Sequence, residues 1–149
     1  MKSLIIATAT MLCFFSANAQ TETIPVEAIQ KFLNKAVGQK FESNGDIKIT
    51  KQVISETTYT LYKKRNGTKW VAGNTNIQWD NAMYFKHYKI NGNDKLTVCR
   101  FSFSNEMNWF YHVESETETD KLTIKYVEFY ILTIDYYDFV DLMKKFIHN

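Results

Sequence analysis

Asn66-Gly67 stands between two runs that alternate apolar and polar residues, 57–65 and 68–73. Both central residues of a type I′ turn need positive φ, which Asn and Gly adopt readily, so the pair predicts a two-residue β-hairpin. A hairpin commits its surroundings to antiparallel pairing, because parallel strands need a crossover of a dozen residues or more. Residues 46–55, 83–90, 96–103, 107–114 and 121–133 alternate in the same way. Short polar turns join several of them, among them Asn91-Gly92-Asn93-Asp94 and Ser104-Asn105-Glu106. Nine Tyr, eleven Phe and three Trp suit pleated surfaces, and one Pro with five Gly leaves few breaks.

A helix is predicted on each side of these strands. Across 23–38, Val26, Ile29, Leu33 and Val37 recur at steps of three and four, with Glu27, Lys31 and Lys35 opposite. Thr23 is placed to cap this helix, Pro25 is tolerated in its first turn, and Gly38 suits a left-handed exit. Across 136–148, Val140, Met143 and Ile147 form a stripe with Phe139 and Phe146 beside it. Asp135 is its expected cap, and Lys144 and Lys145 complement its negative end. Both stripes need an apolar surface, and the sheet is the one on offer. The expected fold class is therefore α+β: an N-terminal amphipathic helix, an antiparallel β-meander of about six or seven strands, and a C-terminal helix packed on the sheet.

The beginning of the chain has a different character. Lys2 precedes an apolar run over 4–15 that is too short to span a bilayer, and Ala17 and Ala19 make an A-x-A cleavage signal. A signal peptide over 1–19, cleavage near Ala19, a single α+β domain over 20–149 and a periplasmic or secreted product are expected. Bulky Met11 and Leu12 disfavour acylation of Cys13, and no later run of 18 apolar residues suggests a stable membrane anchor. Cleavage leaves Cys99 as the remaining thiol, with no internal disulfide. A net charge of +2 for the whole chain offers no general field for nucleic acid, so no nucleic-acid partner is expected.

Familiar chemistries find little purchase. There is no G-x-S-x-G elbow, and Cys99 alternates with Thr97, Phe101 and Phe103 as a core residue would. His87, His112 and His148 form neither H-x-x-x-H nor H-x-H, and the run Glu114, Glu116, Glu118 and Asp120 lacks the Gly and terminal Glu of an EF-hand. No metal and no cofactor are expected. Asn66-Gly67-Thr68 fits the N-glycosylation pattern, but the hairpin turn already accounts for it.

One polar residue stands out. In the last strand Leu122, Ile124, Tyr126, Tyr130, Leu132 and Ile134 share a side, and Glu128 interrupts the row. A carboxylate buried there must bind a proton or find a partner such as a Tyr hydroxyl, a Lys or a ligand; the alternative is that the sheet opens to solvent at Glu128 or that a bulge turns it outward. Glu128, Tyr126 and Tyr130, with Trp109 and Tyr111 of the preceding strand, are the candidate ligand-binding residues. A three-residue turn at 104–106 would set Phe101 opposite Trp109 and Arg100 opposite Phe110, with Lys125 beyond.

The aromatic excess makes the leading expectation an exported non-catalytic binding domain with a cleft for an apolar or aromatic small molecule. A protein-interaction module, such as an exported inhibitor or immunity-type protein, is the first alternative. A small hydrolase or isomerase with a lone carboxylate is the second. A closed void above about 300 Å³ would mark the first reading, and a solid core with an exposed apolar patch the interaction module.

Overall fold

The computed structural model describes residues 24–42, 46–116 and 119–147. The expected signal peptide and Thr23 lie outside the described residues, as does His148. Helix α1 (Val26–Lys35) starts from Pro25, whose extended backbone is its N-cap without a side-chain cap bond. It buries Ile29 and Leu33 and exits through Gly38 at φ +92°, whose N–H donates to Ile49 O at 2.8 Å. Helix α2 (Tyr136–Ile147) buries Phe139, Val140 and Met143. Asp135 does not cap it: residues Thr133–Asp135 form a 3-10 turn running straight into the helix, and the Asp135 carboxylate takes Lys35 Nζ at 2.9 Å. With no extended residue at the junction, a side-chain cap has no place to form.

Between the helices lie seven antiparallel strands: β1 (Lys40–Phe41), β2 (Ile47–Ile54), β3 (Tyr59–Arg65), β4 (Thr68–Thr75), β5 (Ala82–Ile90), β6 (Asn93–Val113) and β7 (Asp120–Leu132). The fold is α+β, as the periodicities require. Asn66 and Gly67 have φ of +47° and +85° and pair Arg65 with Thr68, the expected hairpin. The expected turn at 104–106 does not form. Instead 96–103 and 107–114 belong to one bulged strand, whose register jumps from Ser102↔Tyr126 to Met107↔Ile124. Long, alternating β7 pairs with both halves, so the extra residues are absorbed as a bulge rather than a reversal. Along its other edge β6 takes β5 and then β4, which lie end to end.

The core lies on the odd-numbered face of β6 and β7. Cys99, Val127, Phe129 and Ile131 are wholly buried there, and burial pushes the Cys99 thiol up to about 12. The Phe129 ring meets Tyr59 at 4.7 Å, Phe139 at 5.6 Å, Phe101 at 5.8 Å and Trp79 at 6.0 Å between centroids. Such edge and offset contacts add roughly 0.5–1.5 kcal/mol each beyond the area they bury.

A second bulge turns a polar residue inward. Ile47 and Ile49 of β2 face the interior, the register shifts between Ile49 and Lys51, and the inward positions become Gln52 and Ile54. Gln52 is wholly buried. Its Nε2 donates to Leu33 O at 3.0 Å and Tyr130 O at 2.8 Å. Its Oε1 accepts from the Tyr59 hydroxyl at 2.6 Å and the Tyr130 N–H at 3.2 Å. Both donors and both lone pairs of the amide are thus engaged. One side chain joins α1, β2, β3 and the outer edge of β7, where no strand pairs among the described residues.

Replacing Gln52 by Leu strands these partners in a dry interior, at about 1–3 kcal/mol for each buried group left unsatisfied. Urea unfolding of Gln52→Leu is expected to show a loss of about 3 kcal/mol or more, against about 0.5 or less for the surface control Lys69→Ala. A loss below about 1 kcal/mol would mean that the amide does not hold the sheet closed.

Candidate ligand-binding cleft

Curling of the sheet carries the inner face of β3 across the free edge of β7. Cross-strand pairing sets Tyr59 beside Asn74, Leu61 beside Ala72, and then Asn74 beside Trp109 of β6. The row continues onto β7 through Ile124, Tyr126, Glu128 and Tyr130. A half-open cleft of about 180 Å³ lies between these faces. Asn74, only 4% exposed, donates from Nδ2 to Tyr126 O at 3.2 Å and ties β4 to the edge of β7, as Gln52 ties β2 to it at Tyr130.

Glu128 sits at the β7 side of the cleft with about a quarter of its side chain exposed. Its Oε1 accepts from Arg100 Nε at 2.7 Å, from the second guanidinium nitrogen, and from the Tyr88 hydroxyl. Arg100 lies 4.1 Å from the centre of the Tyr126 ring and 5.6 Å from that of Tyr88. The cation is therefore held by a carboxylate and two aromatic faces together. Burial, then the hydrogen bond and charge of Glu128, push the Tyr88 phenol up to about 12. Burial and the same carboxylate hold Tyr130 well above its ordinary value.

Lys63 is placed differently. It lines the β3 side of the cleft, half-buried, with Nζ 5.7 Å from the centre of the Trp70 ring. Among the described residues no carboxylate oxygen comes within 4.0 Å of that ammonium. Burial lowers its pKa, against the weaker pull of Glu42 and Glu128 at longer range.

Four of the five residues expected to form a site, Glu128, Tyr126, Tyr130 and Trp109, line this one cleft. Tyr111 does not; its ring stacks on Trp109 at 6.0 Å and meets Trp70 at 6.4 Å, extending the aromatic wall outward. The expected opposition of Arg100 and Phe110 is overturned. Arg100 pairs with Glu128, and Phe110 with Lys121 instead of Lys125, because β6 does not fold back on itself. Sequence reasoning misses Lys63, on an expected strand, and Asn74, which lies just past the expected strand end at 73 because β4 runs on to Thr75. Lys63 continues the alternating face of Tyr59 and Leu61, a signal masked by its place in a run of basic residues at the hairpin end.

Among the described residues no group of three His, Cys, Asp or Glu side chains gathers as metal ligands. Lys69 of the basic hairpin pairs with Glu114 at 3.0 Å, and residues 117–118 of the acidic run lie outside the described residues. No helix among the described residues is long and apolar enough to cross a membrane. No protein-family model matches the chain, and neither does any curated protein or solved structure.

Raised phenol and thiol values set the sign of the alkaline response. In the unfolded chain tyrosines lose their protons near pH 10 and Cys99 near its ordinary 9, whereas the fold keeps Tyr88 and Cys99 protonated to about 12. Their contribution to stability is complete below the unfolded values and is lost as pH rises through the folded ones. Carbon NMR of the Tyr88 phenol is expected to titrate near 12, and Glu128→Gln to lower it only in part, because burial is the larger cause. An unchanged midpoint in that variant would show that burial alone sets it.

Proposed function

We propose that this chain is an exported, non-catalytic binding domain whose aromatic cleft holds a small molecule of single-ring size. The observation that carries the reading is the convergence of Trp109, Tyr126 and Tyr130 with Glu128 on one half-open cleft. Aromatic walls with a few fixed polar groups are the usual makeup of ligand sites. The cleft is half-open and about 180 Å³, short of the closed void above about 300 Å³ expected for this reading, so the guest is narrowed to a single ring. The volume is a little above the roughly 150 Å³ that accepts benzene in an apolar protein cavity. The apolar run over 4–15 and the A-x-A signal ending at Ala19 support export.

A protein-interaction module is the second reading, favoured by β5. That strand is paired along one edge, to β6, and Met83 and Tyr84 are 60% and 59% exposed on it. An unpaired edge bearing apolar side chains suits addition of an extended segment. A hydrolase or isomerase with a lone carboxylate has less support, because Glu128 is already engaged by Arg100 and Tyr88.

The test is ligand-observed NMR with a panel of single-ring compounds on the wild type and on Ala72→Phe, whose added ring would occupy the cleft. Binding is expected in the wild type and its loss in the variant, with circular dichroism unchanged. Equal binding by both proteins would remove the cleft from the proposal.

A further inference from the structure

Charge in the cleft is distributed unevenly. Glu128 faces it as an acid, but its Oε1 already receives the Arg100 guanidinium and the Tyr88 hydroxyl. That acid and that base are partners, so together they present little net charge to a guest. The Asn74 amide is partly engaged, with one N–H on the backbone of β7. Lys63 alone among the charged groups lining the cleft has no counter-ion in contact among the described residues. Its ammonium sits at the end of a four-carbon stem and can swing toward a guest.

Resting on the binding reading above, we infer that the cleft selects a single-ring aromatic anion, with the ring against Trp109 and Tyr126 and its carboxylate or equivalent on Lys63. A partly desolvated ammonium without a counter-ion is unfavourable, and an incoming anion relieves that deficit through a charge-assisted hydrogen bond. A cationic guest meets the opposite situation. It would bring a second positive charge beside Lys63 and compete with Arg100 for Glu128, whose geometry is already satisfied. A neutral ring gains the aromatic walls but leaves Lys63 as it was. The ring-sized volume excludes a large anion from full entry.

Three probes of one size separate these cases: benzoate, benzyl alcohol and benzylamine, titrated into the mature protein with chemical shifts of the Trp109 indole as readout. Benzoate is expected to bind at least about tenfold more tightly than the other two, equivalent to roughly 1.4 kcal/mol. Lys63→Met, which keeps the apolar stem, is expected to erase the preference, and Lys63→Arg to retain it. Should Lys63→Met fail to fold, weakening of benzoate binding by salt in the wild type, with benzyl alcohol unaffected, tests the same charge. Equal affinities for the three probes, or a preference for benzylamine, would overturn the anion inference and leave the binding cleft standing. No shift of Trp109 with any of the three at millimolar concentration would overturn both.

Discussion

The Gln52 side chain holds together what the backbone ladder leaves apart. β7 pairs with β6 along one edge, and its other edge faces the interior, where unpaired N–H and C=O groups are unfavourable. A curled sheet can satisfy such an edge by adding a strand, by closing into a barrel, or by lending side-chain amides. This chain takes the third route. Gln52 supplies an acceptor and a donor to Tyr130 as a neighbouring strand would, and Asn74 supplies a donor to Tyr126. Because amides on side chains stand farther from their own backbone than ladder groups do, β3 and β7 stay apart. The gap between them is the cleft.

Two bulges make that geometry possible. The shift in β2 between Ile49 and Lys51 turns Gln52 toward the interior, and the irregularity in β6 between Ser102 and Met107 lets one strand serve two neighbours in succession. Bulges increase local twist and bend the strand that carries them. The bend in β6 puts Trp109 on the same concave face as Arg100 and Glu128. Phe129, on the opposite face, packs against Phe139 of α2 and Tyr59 of β3, so the helix layer and the curl of the sheet share one aromatic centre.

The polar groups divide by role. Arg100, Glu128 and Tyr88 satisfy one another across three adjacent strands, and the guanidinium also covers the face of Tyr126. Such a set is rigid and close to neutral, well suited to shaping a wall. Lys63 is bound to nothing comparable: it is half-buried, its ammonium lies over the Trp70 ring, and among the described residues no carboxylate oxygen is within 4.0 Å of it.

Alternation and turn chemistry were enough to establish the two helices, the hairpin at Asn66-Gly67 and the antiparallel sheet, because these depend on neighbours a few residues apart. Glu128 was legible as a candidate: an acid interrupting a row of apolar residues needs a partner where the strand is covered, and Arg100 and Tyr88 supply one. Gln52 was not legible, since strict alternation from Ile47 and Ile49 puts it among the outward residues Lys48 and Thr50, and nothing local announces the bulge. The partner of Arg100 was misread for a related reason. Ser104-Asn105-Glu106 suits a turn and a bulge equally, and the choice was made by β7, which is long enough to pair with both halves of β6. The sequence by itself determined the elements and singled out Glu128 as the acid in an apolar row. Which strands meet and how wide the cleft stands were decided only by tertiary structure, because each depends on contacts between residues far apart in the chain.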